Sequence, residues 1–282
     1  MPMRTPVALI AMAIAQPCVA QEASMPPASA ALPAEAAESG WSITVGVAPV
    51  VSPAWLGSRD TTLSVYPDLR INYGDIIFAS VPDGVGWNAV NWDGFKAGPI
   101  AKVRFGRDEN DGGSPFLISG KSDALRGLGD VGVAAEIGGF IEMRFGRTRA
   151  WRLRGEVRRG FGGHEGVIAD VSLGYRIRTG RTQINVGPRA SLASKHFMQT
   201  YFGIDALQSP RSGLPQHTAR GGLLSYGIGG SVVHPLDRRS AVTLFTGLDR
   251  LGDAPANSPL IEQRGRRMQF TLGFGYGWRF GL

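Results

Sequence analysis

From Met268 to Leu282 the chain alternates without a break. Met268, Phe270, Leu272, Phe274, Tyr276, Trp278, Phe280 and Leu282 take every second place, and Gln269, Thr271, Gly273, Gly275, Gly277, Arg279 and Gly281 fill the places between. A period of two marks a β-strand whose two faces meet different surroundings. Here one face is wholly apolar and strongly aromatic, and the other is polar or glycine. Extended, the segment reaches about 50 Å, well beyond the usual soluble strand of about 5–6 residues. That length suits a tilted strand that crosses a membrane and projects beyond it.

The pattern recurs upstream. Val131 to Phe145, Trp151 to Arg158, Val167 to Arg178 and Trp41 to Ala48 alternate in the same way. Twelve segments can be drawn, near 41–50, 61–73, 75–81, 84–90, 94–105, 130–145, 150–160, 166–178, 182–193, 222–234, 240–250 and 267–282. Short connections at Gly74, 91–93, 146–149, 179–181 and 235–239 alternate with long ones at 106–129, 194–221 and 251–266, and 51–60 is of medium length. Short turns on one side and long loops on the other describe an outer-membrane barrel with both chain ends in the periplasm. An even strand count closes the sheet without an exposed edge. The 40 glycines among 282 residues argue against long helices, and no apolar run approaches the ~20 residues of a spanning helix.

Alternation alone does not say which face is inside. A soluble barrel would turn its apolar face inward, but the apolar residues here are bulky on nearly every strand. A closed barrel of about twelve strands, all antiparallel, has more interior than that face can fill. Turned toward lipid, the face places Phe270, Phe274, Tyr276, Trp278 and Phe280 against acyl chains and headgroups. Trp41, Tyr73, Trp151, Tyr276 and Trp278 then fall near the interfaces, as aromatic girdles do. The opposite face carries Lys102, Arg104, Arg144, Arg152, Arg154, Arg158, Arg176, Arg178, Arg189 and Arg279, with Glu136, Glu142, Glu156 and Asp170. These charges are expected to line the lumen. They could make an anion-favouring pore, but an internal ionic network that fills and stiffens the barrel is the favoured reading, since unpaired buried ions are costly.

Residues 1–20 have the layout of a secretory signal: one cation at Arg4, an apolar run from Val7 to Ala15, and Cys18-Val19-Ala20 as a small-x-small cleavage site. Residues 21–40, rich in Ala, Pro, Ser and Glu, read as a periplasmic tail, which leaves 41–282 as the barrel. Cleavage after Ala20 removes Cys18, the one cysteine, which suits an oxidising compartment and excludes a disulfide framework. It also removes Arg4, so 29 basic side chains face 23 acidic ones, a net of +6. The arginines are scattered and no lysine-rich run or nucleic-acid motif occurs, so nucleic acid is not an expected partner.

Candidate chemistry is sparse. His164-Glu165 sits in a Gly-Gly-His-Glu-Gly turn, and one adjacent pair does not make a zinc tetrahedron. His196, His217 and His234 could in principle serve Ser191, Ser194, Ser212 or Ser258, but no Gly-x-Ser-x-Gly elbow occurs. Asp108-Glu109-Asn110-Asp111 lacks the spaced ligands of a calcium loop. The expectation is a chain with no catalytic residues, cofactor or metal. The Pro-containing loops at 209–215 and 253–262 are long enough to have a role of their own.

The loop motifs carry a resemblance. They include Pro53-Ala54-Trp55-Leu56-Gly57-Ser58, Gly106-Arg107, Gly127-Leu128-Gly129-Asp130, Glu136-Ile137-Gly138-Gly139-Phe140, Gly163-His164-Glu165-Gly166, Tyr201-Phe202-Gly203-Ile204, Arg250-Leu251-Gly252-Asp253-Ala254 and Asn257-Ser258-Pro259-Leu260. In this order and spacing, from about Trp41 to the end, the sequence resembles the MipA/OmpV family of MltA-interacting proteins of Gram-negative outer membranes. The resemblance implies an outer-membrane scaffold that joins a lytic transglycosylase to a penicillin-binding murein synthase. A channel for small solutes is the alternative, with an enzyme or adhesin behind it.

Overall fold

A computed structural model describes residues 40–112 and 114–281; the signal segment and residues 21–39 of the tail lie outside the described residues. The strands are β1 (Trp41–Pro53), β2 (Thr61–Tyr73), β3 (Ile77–Ser80), β4 (Gly84–Trp87), β5 (Val90–Trp92), β6 (Phe95–Arg104), β7 (Leu117–Ser119), β8 (Ala134–Phe145), β9 (Trp151–Gly162), β10 (Val167–Thr179), β11 (Thr182–Ala193), β12 (Gly222–Pro235), β13 (Ser240–Leu251) and β14 (Met268–Gly281). Four short helices lie in the long loops: α1 (Lys195–Phe202), α2 (Gln208–Ser212), α3 (Asp253–Ala256) and α4 (Pro259–Arg264).

Each strand pairs antiparallel with its neighbour, and β1 pairs with both β14 and β2, so the sheet closes on itself. Closure matters because a bilayer offers no water to the N–H and C=O groups of an open edge. The ring has twelve staves. β4 and β5 both pair with β6 and together make one interrupted stave, while β7 stands outside the count. Strands β8 to β14 have 12–14 residues, which exceeds the 9–11 or so needed for a tilted crossing.

The wall is least regular between β2 and β6. β3 and β4 have four residues each, too few to span. Their hairpin reaches only the lower part of β2, with Arg70 opposite Ser80 and Tyr73 opposite Ile77. Higher up, the loop after β6 supplies the missing partner. β7 pairs with Leu63 and Ser64, and the Val65 amide donates to the Phe116 carbonyl at 2.9 Å. The segment expected at 75–81 is shortened to β3, the one expected at 84–90 is split into β4 and β5, β5 takes up most of the turn expected at 91–93, and the loop expected at 106–129 contains β7, which pairs with β2.

Burial follows the alternation. On β14, Phe270, Phe274, Tyr276, Trp278 and Phe280 are exposed on the outside of the sheet, and Gln269, Thr271, Gly273 and Gly275 are buried inside. Gly273 is glycine because the Phe245 ring from β13 occupies the place its Cβ would take, 2.1 Å away. At the end of the barrel with the short turns, outward aromatics meet in pairs: Trp41 with Tyr73 at 4.9 Å between ring centroids, and Trp151 with Tyr175 at 4.7 Å.

The outer face sets a prediction. Phe274→Arg puts a charge in the middle of the exposed face of β14 and is expected to cost about 2–4 kcal/mol. Denaturant titration of the protein refolded into lipid vesicles checks this.

Candidate functional site: an ionic lumen beneath a loop dome

The residues that the sequence assigned to the polar face point inward from β6, β8, β9, β10, β11 and β14. Antiparallel register brings those on adjacent strands together: Lys102 lies opposite Glu136, Glu142 opposite Arg154, Arg144 opposite Arg152, and Glu156 opposite Asp170. Long side chains then reach diagonally, and the pairs join into one connected network.

Glu136 is its upper anchor, with 1% of its surface exposed. Its carboxylate accepts from Arg104 Nε at 2.5 Å and from Arg158 Nε at 2.9 Å. Arg158 in turn donates to Glu156, and to Asp170 at 2.6 Å. Glu156 also accepts from Arg154 Nε at 2.7 Å and pairs with Lys102 at 2.9 Å. Below, Glu142 accepts from Arg144, Arg152 and Arg154 at 2.7–3.1 Å. Arg154 also lies over the Phe140 ring, 4.5 Å from its centroid, where the ring's negative face favours a cation. Arg189 makes a two-pronged pair with Asp249 across β11 and β13, the geometry that suits a guanidinium to a carboxylate. Arg176, Arg178 and Arg279 lie lower, toward the short turns.

His164 belongs to this network. Its ring is buried; the Gly166 amide donates to Nδ1 at 3.3 Å, which leaves the proton on Nε2 to donate to Glu136 at 3.0 Å. Gly160 makes the room, since a Cβ there would stand 2.1 Å from the imidazole. Glu165 is exposed and takes no part in this contact. Only the fold could reveal that His164 meets Glu136, 28 residues earlier.

Above the network the long loops pack on one another. Trp55 and Leu56, Leu125 and Leu128, Phe197, Met198, Tyr201 and Phe202 of α1, Leu214, and Leu260 and Ile261 of α4 form one apolar cluster. Phe197, Leu125 and Leu260 have no exposed surface. Polar ties hold the dome in register. Arg107 donates to the Tyr201 carbonyl at 2.6 Å, and burial pushes its guanidinium down to about 10, so it stays charged at neutral pH. Ser258 donates to the Phe202 carbonyl at 2.6 Å, and Arg264 to the Ala124 carbonyl at 2.9 Å. The loop helices carry no alternation of period two and are each one or two turns long, so no periodic signal in the sequence marks them.

Of the other candidates, Glu109, Ser191, Ser194, Ser212 and His234 have structural partners. Glu109 accepts from the amides of Gly127 and Gly129, both at 2.9 Å. Ser191 donates to Asp170 at 2.5 Å, Ser194 accepts from the Val167 amide, and Ser212 accepts from the Leu214 amide. His234 meets Thr182 at 2.9 Å. Among the described residues, no three His, Cys, Asp or Glu side chains converge as a metal site would require. Between network and dome lies a cavity of about 130 Å³, lined by Lys102, Arg158 and Arg189 on one hand and Glu156, Asp170 and Asp249 on the other.

Comparison with known proteins gives a family and several distant likenesses. The family described as MltA-interacting protein MipA matches residues 45–280. The outer membrane protein YiaT of Escherichia coli K12 is 24% identical over 115 residues, which is 41% of this chain and 45% of that protein's length, so the match spans less than half of the relative. Among solved structures, an outer-membrane channel from Pseudomonas putida F1 aligns over 88% of this chain and 99% of its own at 12% identity, with a TM-score of 0.47. The NanC porin aligns over 85% of this chain and 99% of its own at 9% identity, with a TM-score of 0.39.

The network and the dome respond differently to substitution. Glu136→Gln leaves Arg104 and Arg158 facing a neutral amide, and a loss of about 3–5 kcal/mol is expected in a denaturant titration. Phe197→Ala with Leu260→Ala hollows the dome while the barrel stays folded, and limited proteolysis should cut faster within 194–221.

Proposed function

We propose a scaffold function from one premise: the chain belongs to the MltA-interacting protein MipA family. In this reading the outer-membrane β-barrel is a fixed platform that holds a lytic transglycosylase beside a penicillin-binding murein synthase. The barrel contributes position and performs no chemistry. The family match over residues 45–280 carries the proposal.

The packing of the loops over the lumen supports this reading. A channel needs a continuous path, and here a dome with fully buried Phe197 and Leu260 lies over a layer of paired charges. What remains for a periplasmic partner is the rim of short turns near Gly74, Asn91, Gly146, Thr179 and Pro235, with the tail 21–40 that precedes β1. Murein enzymes work on that side of the membrane, so a platform for them must present its binding surface there.

Affinity capture from detergent-solubilised envelopes tests the reading. A lytic transglycosylase is expected among the captured proteins, and the chain lacking 21–40 should capture less of it if the tail is the binding element. Repeated capture without any murein hydrolase, together with steady ion conductance in a planar bilayer, would replace the scaffold with the channel.

A further inference from the structure

The lumen charges divide by height. In the upper layer, Lys102, Arg104, Arg154, Arg158 and Arg189 meet Glu136, Glu156, Asp170 and Asp249, and Asp83 lines the same cavity, so five cations share this layer with five carboxylates. The lower part is not balanced. Arg144, Arg152, Arg176 and Arg178 face inward from three consecutive strands, β8 to β10, and Glu142 is the one carboxylate among them. Glu142 is already shared by Arg144, Arg152 and Arg154. Arg176 donates to the Arg149 carbonyl at 3.3 Å, and neither Arg176 nor Arg178 forms an ion pair among the described residues.

Such an arrangement is unfavourable on its own. Like charges on neighbouring strands repel, and Arg144 and Arg152 are direct cross-strand partners. A chain that needed only a filled barrel could place Gln or Ser here, as it does with Gln183 and Asn185 on β11 and Ser231 on β12.

We propose that this periplasmic vestibule binds the carboxylate-bearing end of an acidic peptide supplied by a partner. Planar guanidinium groups match carboxylates in two-pronged pairs, and the walls of the barrel strengthen each pair relative to bulk water. Arg176 and Arg178 stand two residues apart on one strand, about 7 Å, a spacing that successive carboxylates of an extended peptide can meet. The upper ionic layer and the dome stop the ligand from passing through, so it enters and leaves from the periplasm. Lipid headgroups sit on the other side of the wall, beyond the outward ring of Trp151 and Tyr175, whereas the four arginines point inward. The inference does not depend on the scaffold reading, and it can hold or fail whether or not a murein enzyme is captured.

The test uses the full mature chain in detergent micelles and a fluorescein-labelled oligoglutamate, read by anisotropy. The wild type is expected to bind it, to ignore oligoglutamine, and to release it at high salt. Arg176→Gln with Arg178→Gln should weaken binding by at least about tenfold, since two charge-assisted contacts are lost. Arg159→Gln, on the outer face of β9, should leave it unchanged. Heat-modifiable migration establishes that each variant is folded. Equal binding by the double variant and the wild type would overturn the proposal, as would displacement of the probe equally well by inorganic phosphate or by phosphatidylglycerol vesicles. Binding that appears only after removal of 21–40 would assign the vestibule to this chain's own Glu22, Glu35 and Glu38 and overturn a partner in trans.

Discussion

The bilayer core supplies no hydrogen-bonding partner, and much of this structure follows from that fact. Every backbone N–H and C=O at membrane depth must find its partner in another strand. A closed ring meets the demand, with β1 joined to β14 on one side and β2 on the other. Closure then fixes the side chains. With a period of two, each strand gives one face to lipid and one to the interior, and a slip of one residue would exchange them. The alternation of Phe, Tyr and Trp with Gly, Thr and Gln on β14 is therefore a record of the register.

A ring of twelve staves encloses more space than small residues can fill, and the interior is filled in two ways. One wall is ionic, built by β6 and β8 to β11. The other holds a small apolar cluster, where Ala48, Val50, Tyr66 and Phe245 pack with Phe116 beside the Arg70–Asp68 pair and inward Ser and Thr side chains. Ion pairs taken out of water add little net stability, because desolvation offsets their attraction. Their value lies in order: Arg158 touches Glu136, Glu156 and Asp170 at once, and that geometry exists in one register of β8, β9 and β10 only.

The strands and their number were legible because the membrane imposes a period of two on long segments, and β8 to β14 follow it over most of their length, with Phe140, Ile168, Val233 and Phe245 as inward apolar exceptions. The inward residues could be named for the same reason, since Arg152, Arg154, Glu156 and Arg158 leave no doubt about which face of β9 is polar. What the sequence withheld were features set by distant contacts. His164 reads as a turn residue until Glu136 is folded against it. Phe197 and Leu260 read as loop residues until four loops meet in one cluster. The division of the lumen into a balanced upper layer and a cationic lower part was hidden as well, because it depends on how far each strand rises, and a list of inward arginines carries no heights. The half-height hairpin of β3 and β4 was equally out of reach: nothing local in Ile77 to Trp87 says that a segment forty residues later will finish the wall.

That hairpin bears on how the barrel is built. The upper half of β2 has no partner among the strands that follow it immediately, and its hydrogen bonds go to Phe116 and β7, which lie beyond β6 in the chain. Strand-by-strand addition along the sequence thus leaves a gap beside β2 that only a later segment fills. The external loop 106–129 is at once part of the cap, through Leu125 and Leu128, and part of the cylinder. Maturation of the cap and sealing of the cylinder are consequently one event, and the seam beside β2 is the place where an unfinished molecule would still lie open to the surrounding lipid.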